Sequence, residues 1–359
     1  MTNYPSFDSN SDDSTAISEN QERAKQRQQE IEEIQQMPRW ALVDATGLLH
    51  KAHHAFAHVK GPSGQGTGVL YGTINFMHKY MKAMNGPDHV VAVFDAPGGS
   101  YERLALYPDY KKQRPPRPEE IKKQEPWVHA FLRASGIPVV SVLGVESDDV
   151  LAAIAKKESI DKRVAILSSD KDMGSTIRKN ILWYRPDPTA ENGVTHMTRK
   201  IVQERFGIAP HQFVDYLALL GDTADNLPGV DKVGNKTAVK LLTEFGSIEA
   251  VYAAMAENDG LAKMEKVLGS KTKTIWKNLS DAQEIMPTMQ SLIRLRDEIP
   301  IARDLYANRE PVNDQMMREM AAEHGLPPWM GYVLPWQQER ATAMNQAKND
   351  AMPTPRMKL

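Results

Sequence analysis

The sequence predicts an α/β protein, a mainly parallel sheet with helices on both faces, followed by an all-helical domain. Three observations carry this. Short, nearly continuous apolar runs recur at WALVDA (40–45), HVVAVFDA (89–96), IPVVSV (137–142), RVAILSSD (163–170) and ILWYRP (181–186), the pattern of strands buried on both faces. Helical stretches such as GVLYGTINFMHKYMKAM and DDVLAAIAKKE intervene, as crossovers between parallel strands require. From about residue 206 the strand pattern gives way to amphipathic helical stretches that run to about residue 300.

The expected organisation follows in chain order. Residues 1–37 are an Asp/Ser/Asn-rich segment and then ENQERAKQRQQEIEEIQQM, too poor in apolar residues to bury a core, which predicts disorder or an exposed helix. Residues 38–205 form the α/β domain, with a basic arch at about 97–130. Residues 206–301 form the helical domain, and 302–359, Met-rich with Trp329 and Trp336, are an extension without an assignable motif. The methionines at 77, 81 and 84 read as helix packing.

Composition narrows the function only a little. With 359 residues and 41% hydrophobic content, one or two real cores are affordable. The net charge of -2 means that any nucleic-acid binding must rest on local basic patches. The absence of cysteine excludes disulfides and thiolate metal sites and fits a reducing compartment. There is no apolar run of membrane-spanning length and no signal-like start, so no membrane partner and a cytoplasmic location are expected.

The acids are where the sequence speaks. Asp44, Asp95 and Asp170 each fall at the carboxyl end of a predicted strand, where open α/β sheets place their ligands. Asp172 follows two residues after Asp170, Glu146, Asp148 and Asp149 open the helix after the 137–142 strand, and Asp222 and Asp225 come later. Singly, each has an ordinary reading: Asp148 as a helix N-cap, any strand-end Asp as a turn former. Nine together repel one another unless cations neutralise them. An all-oxygen set without cysteine suits a hard cation, Mg²⁺ with Mn²⁺ as substitute, and so many carboxylates suggest two ions.

Between Asp95 and the next strand, Arg103, Lys111, Lys112, Arg114, Arg117, Lys122 and Lys123 are interleaved with Tyr101, Tyr107 and Tyr110. That mixture suits tracking a nucleic-acid backbone and stacking on bases, with a solvated loop as the competing reading, and the Pro-Pro-Arg-Pro run argues against one uninterrupted helix. The histidines at 50, 53, 54 and 58 lie at helical spacing without an acidic or cysteine partner at matching spacing, so a helix face is expected there and not a zinc site.

Gly221–Ala238, GDTADNLPGVDKVGNKTA, joins both chemistries. If the helix FVDYLALL continues to Asp225, Asp222 and Asp225 leave one helical face. Leu227-Pro228-Gly229-Val230 then breaks the chain, Val233-Gly234 turns it, and Lys236-Thr237-Ala238 starts a helix running to Phe245, a helix-hairpin-helix. Its glycines allow close backbone approach, and the new helix's amides with Lys232, Lys236 and Lys240 form a phosphate site that does not read sequence.

VDATGLLHKAHHAF, VFDA, RLALYPDYKKQRPP, GVESDDVLA, SSDKDM, GDTADNLPGVDKVGNKTAVKLL and RLRDEIPI, in that order, resemble the motifs of the 5′-nuclease family: the 5′-3′ exonuclease domain of bacterial DNA polymerase I and the stand-alone phage flap endonucleases. The resemblance runs from about Trp40 to Ile301 and implies a PIN-like core, a helical arch and a helix-three-turn-helix DNA-binding domain. It implies metal ligation by the same nine acids and phosphate contacts by Lys111 and Arg114 of the YKxxR motif. Lys51, expected with Lys111 and Arg114 among the catalytic residues, stands where the family usually has Arg, and Arg103 and Lys112 join the expected DNA contacts together with Gly229, Val230, Lys232, Val233, Gly234, Lys236, Thr237 and Lys240. A monovalent cation, commonly potassium, at the hairpin is also implied. The reading is therefore a Mg²⁺-dependent 5′-3′ exonuclease and flap endonuclease of replication and repair. It would act as a monomer on DNA with 5′ flaps, nicks or 5′ ends, with a separate DNA polymerase as the expected partner. A non-catalytic DNA-binding module is the first rival, and nine acids near DNA argue against it. A phosphohydrolase of small molecules is the second, and leaves the hairpin and basic arch without purpose.

Overall fold

The computed structural model describes residues 39–331 and Gln337. The expectations for residues 1–37, and for the extension at 332–336 and from 338 onward, lie outside the described residues. In chain order the elements are β1 (Arg39–Asp44), α1 (Ala45–Phe56), α2 (Gly68–Ala83), β2 (His89–Val93), α3 (Tyr101–Leu106), α4 (Glu119–Ala134), β3 (Val139–Val140), α5 (Ser147–Glu158), β4 (Arg163–Leu167), β5 (Ile181–Pro186) and β6 (Val194–Met197). The helical part continues with α6 (Arg199–Phe206), α7 (Phe213–Leu220), α8 (Asn235–Phe245), α9 (Ile248–Met255), α10 (Gly260–Leu268), α11 (Thr272–Ala282) and α12 (Met286–Ile293). Two last helices are α13 (Asp304–Ala307) and α14 (Asp314–His324). No described helix is long and apolar enough to cross a membrane.

The strands form one six-stranded sheet in the order β3-β2-β1-β4-β5-β6, parallel except for the β5–β6 pair. The order reverses direction at β1, whose neighbours are β2 and β4, so the carboxyl ends of β1, β2 and β4 face one crevice. Alternate residues of β1 supply two different cores. Leu42 joins Val91, Val93, Val164 and Ile166 under α5 in a core that runs on into the helical part. Ala41 and Val43 join Val90 and Ala92 under α1, α2 and α4, where Met77, Met81 and Met84 are buried as expected.

Three strands are shorter than predicted. β2 ends at Val93, β3 is two residues, and β4 ends at Leu167. Just beyond them the chain bonds across the crevice: Asp95 N–H donates to Thr46 Oγ1 (2.8 Å), and the Ser168 hydroxyl donates to Asp44 Oδ2 (2.9 Å). β6 escaped the sequence reading because an antiparallel edge strand is short and only half apolar.

The described part of the C-terminal extension closes the bottom of the sheet. Tyr306 of α13 is fully buried, its carbonyl 2.6 Å from His89 Nε2 and its hydroxyl donating to Glu158 Oε1 (3.0 Å). Glu158 also accepts from Arg303 Nε (2.9 Å) and pairs with Lys162 (2.9 Å). Met317, Met320 and Ala321 of α14 complete the second core against α4.

Tyr306→Ala should cost about 3 kcal/mol of stability through the cavity it leaves, measured by urea unfolding. Burial pushes the Glu158 carboxyl up, but Arg303, Lys162 and Tyr306 outweigh it and hold the pKa at about 2, against an ordinary 4.5. Because that folded-state value is depressed, the stabilisation is present above pH 4.5 and lost as pH falls towards 2. The gap in thermal midpoint between the wild type and Glu158→Gln should therefore close across that window.

Candidate active site

The first acid is placed by its own helix. Asp44 ends β1 and caps α1, accepting from Gly47 N–H (2.8 Å), and a Cβ on Gly47 would lie 2.5 Å from Asp44 Oδ2, so only glycine leaves the carboxylate room. Burial raises the Asp44 pKa to about 6 against the bonds from Gly47 and Ser168, and Asp95 and Asp170 add to the rise. Asp95, beyond β2, accepts from Ser147 N–H (2.7 Å), so the start of α5 is held by a neighbouring strand end and not by Asp148. Asp148 is pushed well above the usual carboxylate range by burial and by Asp170, Asp44 and Asp95, with Lys111 opposing.

The turn after β4 supplies the next two acids. Asp170 Oδ1 accepts from Asp172 N–H (2.9 Å). Asp172 is raised well above its ordinary pKa by burial, then by Asp170, Asp225 and Asp222 against Lys171. Its Oδ1 is buried without a hydrogen-bond partner. Thus Asp44, Asp95, Asp148, Asp170, Asp172, Asp222 and Asp225 act on one another electrostatically.

Asp222 and Asp225 do not share a helical face. α7 stops at Leu220 because Gly221 takes φ +74°, and a Cβ there would lie 2.4 Å from Gly229 N. The chain then turns through a loop closed by Asp222 and Leu227, which exchange backbone bonds of 2.9 and 2.8 Å. Asp222 pairs with Lys171 (3.0 Å), and Asp225 with Arg114 (2.5 Å).

The basic segment is zipped to that loop. Lys111 N–H donates to the Asp225 carbonyl (3.0 Å), Arg114 Nε to the Ala224 carbonyl (3.0 Å), and Asn226 Nδ2 to the Asp109 carbonyl (2.8 Å). Lys111 Nζ binds Glu146 Oε1 (2.7 Å). Lys111 and Asn226 both adopt left-handed backbone, φ +56° and +58°, the strained conformation often stored at functional turns.

Three of the singled-out residues turn inward. Arg103 does not face a partner: it is 5% exposed, forks onto Asp149 (2.5 and 2.8 Å), and also reaches Glu146 (3.0 Å). Asp149 is fully buried, with Oδ1 accepting from Arg296 N–H (2.9 Å) besides Arg103, so its carboxylate is engaged in an internal ion pair. Tyr110 is not a stacking platform. It is buried, its hydroxyl 3.0 Å from Glu146 and 3.2 Å from Asp225, and burial and those two carboxylates push the phenol up. A basic, aromatic composition cannot reveal which members turn inward; Arg103 is the one buried residue of a six-residue helix, too short for a periodicity signal.

Other candidates stand apart from the acids. Lys51 lies over the Phe76 and Tyr80 rings (5.2 and 5.5 Å), and burial and Lys79 lower its pKa against Asp187. Lys112 is exposed and pairs with Asp109. His53 and His54 sit ring to ring on α1, 5.5 Å apart. In the hairpin, Lys232, Lys236 and Lys240 are exposed, Val230, Val233 and Thr237 are buried, and Gly234 precedes α8 without a side-chain cap. Sequence reasoning passed over Thr46, Ser168 and Lys171, small or single residues that gain meaning only from the acids they touch.

Among the described residues no three acids or imidazoles converge tightly enough to hold one ion, and Lys111, Arg114 and Lys171 occupy Glu146, Asp225 and Asp222. The donor set nonetheless suits a hard cation: all oxygen, mutually repelled, with one buried oxygen of Asp172 unpartnered. Acids gathered at parallel strand ends, a basic segment across them and a helix-hairpin-helix alongside define the class of nucleic-acid hydrolases. Residues 39–207 match the family model of the 5′-3′ exonuclease N-terminal resolvase-like domain, and residues 208–315 that of the 5′-3′ exonuclease C-terminal SAM fold. A 5′-3′ exonuclease of Buchnera aphidicola (subsp. Acyrthosiphon pisum) is 30% identical over 72% of this chain and 87% of its own. The thermostable DNA polymerase I of Thermus aquaticus is 32% identical over 77% of this chain but 30% of its own length. The crystal structure of a bacteriophage T5 flap endonuclease with DNA and metal ions superposes with a TM-score of 0.54 at 20% identity, over 79% of this chain and 97% of that one, a likeness of fold. The chain belongs to the 5′-3′ exonuclease family and is a nucleic-acid hydrolase.

Gly229→Ala should destabilise the hairpin by about 2 kcal/mol, as overpacking does, since its Cβ would lie 2.2 Å from the Leu220 carbonyl carbon. Thermal unfolding would report the loss.

Proposed function

We propose that the protein is a Mg²⁺-dependent, structure-specific 5′-3′ exonuclease and flap endonuclease that cuts phosphodiesters where duplex meets a 5′ single strand. The observation that carries this is the set of mutually repelling carboxylates at the strand ends, with Asp172 left one oxygen short of a partner, facing Lys111 and Arg114. Asp44, Asp95, Glu146, Asp148, Asp170, Asp172, Asp222 and Asp225 are the residues that would hold the metal. Two Mg²⁺ ions there would supply Lewis-acid activation of water and neutralise charge on the leaving oxygen.

The chain's own groups do the rest. Lys111 and Arg114 exchange Glu146 and Asp225 for the scissile phosphate and neutralise its developing charge. Lys232, Lys236 and Lys240, with the amides that open α8, hold the duplex through phosphates, which fixes position without reading bases. The hairpin backbone is the proposed seat of a potassium ion, and a separate DNA polymerase the proposed working partner. A pure DNA-binding module gains nothing from concentrated negative charge beside its ligand.

The test is cleavage of a 5′-flap duplex with and without Mg²⁺. The wild type should cut at the junction only with the metal, and an Asp170→Asn, Asp172→Asn double variant should lose on the order of a thousandfold in rate while still binding the flap. Wild-type protein that binds the flap but leaves it intact under every divalent metal would overturn the reading. In the same assay, DNA affinity should fall steeply with added salt, and Lys236→Ala should flatten that slope.

A further inference from the structure

Arg103 makes more internal contacts than any role at a DNA surface would need. Its side chain ties three pieces of the molecule together. The fork holds Asp149 on the first turn of α5, Nη1 reaches Glu146 just before that turn (3.0 Å), and Nε and Nη2 donate to the carbonyls of Leu292 (2.8 Å) and Arg294 (3.3 Å) at the end of α12. From the other side, Arg296 N–H donates to Asp149 Oδ1 (2.9 Å). Burial works against the guanidinium's charge, but Asp149 and Glu146 outweigh it and keep its pKa above the ordinary arginine value.

The turn held this way also carries Asp148, and Glu146 receives Lys111 as well. We propose that Arg103 is a positioning residue: it fixes the α5 turn that presents Glu146 and Asp148 to the metal, and locks that turn to the helical half. Lysine cannot replace it, since a single ammonium cannot fork onto Asp149 while reaching Glu146 and two carbonyls. This inference rests on the nuclease reading for its kinetic consequence, but its structural content concerns metal affinity, which is read separately.

The experiment uses the full chain with two variants. Arg103→Lys keeps the charge and loses the fork. An Arg103→Met, Asp149→Leu double variant replaces the buried pair with apolar groups of similar volume, an exchange that folded proteins often tolerate. Thermal unfolding checks folding, calorimetric titration with Mg²⁺ alone reads metal affinity, fluorescence anisotropy reads flap-DNA binding in EDTA, and single-turnover cleavage reads the chemical rate. Both variants should bind Mg²⁺ at least fivefold more weakly and cut at least tenfold more slowly, with DNA affinity within twofold of wild type. The inference is overturned if folded Arg103→Lys keeps Mg²⁺ affinity and rate within twofold, or if its DNA affinity falls in step with its rate. Wild-type protein that binds Mg²⁺ yet never cuts would sink the nuclease reading and leave the calorimetric comparison to decide the role of Arg103. Should the double variant fail to fold, the lysine variant carries the test.

Discussion

Mutual repulsion among the carboxylates at the sheet's carboxyl edge is the constraint around which the molecule is built. Asp44, Asp148 and Asp172 are each driven towards protonation by burial and by their neighbours. A fold that gathers like charges out of water must supply opposite charge or hydrogen bonds at the same place. This one supplies both. Ser168, the amides of Gly47, Ser147 and Asp172, and the cations Lys111, Arg114 and Lys171 each take up part of the acid set.

The packing explains why such a cluster is tolerated. Parallel strands bury both faces, so β1 is anchored by Leu42 on one side and by Ala41 and Val43 on the other. Strand-end loops hung on that frame have little freedom to spread the charges apart. α5 transmits the frame to the far edge: its first turn carries Asp148 and Asp149, and its last residue, Glu158, is locked by Arg303, Lys162 and Tyr306. One helix therefore links the acidic crevice to the segment that closes the bottom of the sheet.

How much of this was legible in the sequence depends on the range of the signal. Strand identity was readable because burial on both faces writes continuous apolar runs, and Asp44, Asp95 and Asp170 were readable because they follow those runs directly. Chain direction after Leu220 was not, since Gly221 has to take a positive φ to make room for Gly229 eight residues later, a contact no local pattern encodes. The inward turn of Arg103 and Tyr110 was invisible for the same reason. Their partners, Asp149, Glu146 and Asp225, lie 36 to 115 residues away, and composition alone gives a basic stretch one outward reading. The role of the extension was hidden as well, because Tyr306 gains its meaning from Glu158 and His89 and not from a motif.

The zipped arrangement of the basic segment has a further physical consequence for the proposed reaction. An arginine or lysine brought from bulk water to a phosphate must shed hydration before it gains the new contact, whereas Lys111 already sits on Glu146 with 22% of its side chain exposed. Metal held by Glu146 and Asp225 would weaken the grip of those carboxylates on Lys111 and Arg114 and so free both cations for a phosphate. Lys111 would then change partners instead of being desolvated anew, and its backbone bond to the Asp225 carbonyl would keep the segment in register while the side chain moves. Each cation released from a carboxylate would take up a phosphate oxygen, so neither would be left unpaired inside the crevice.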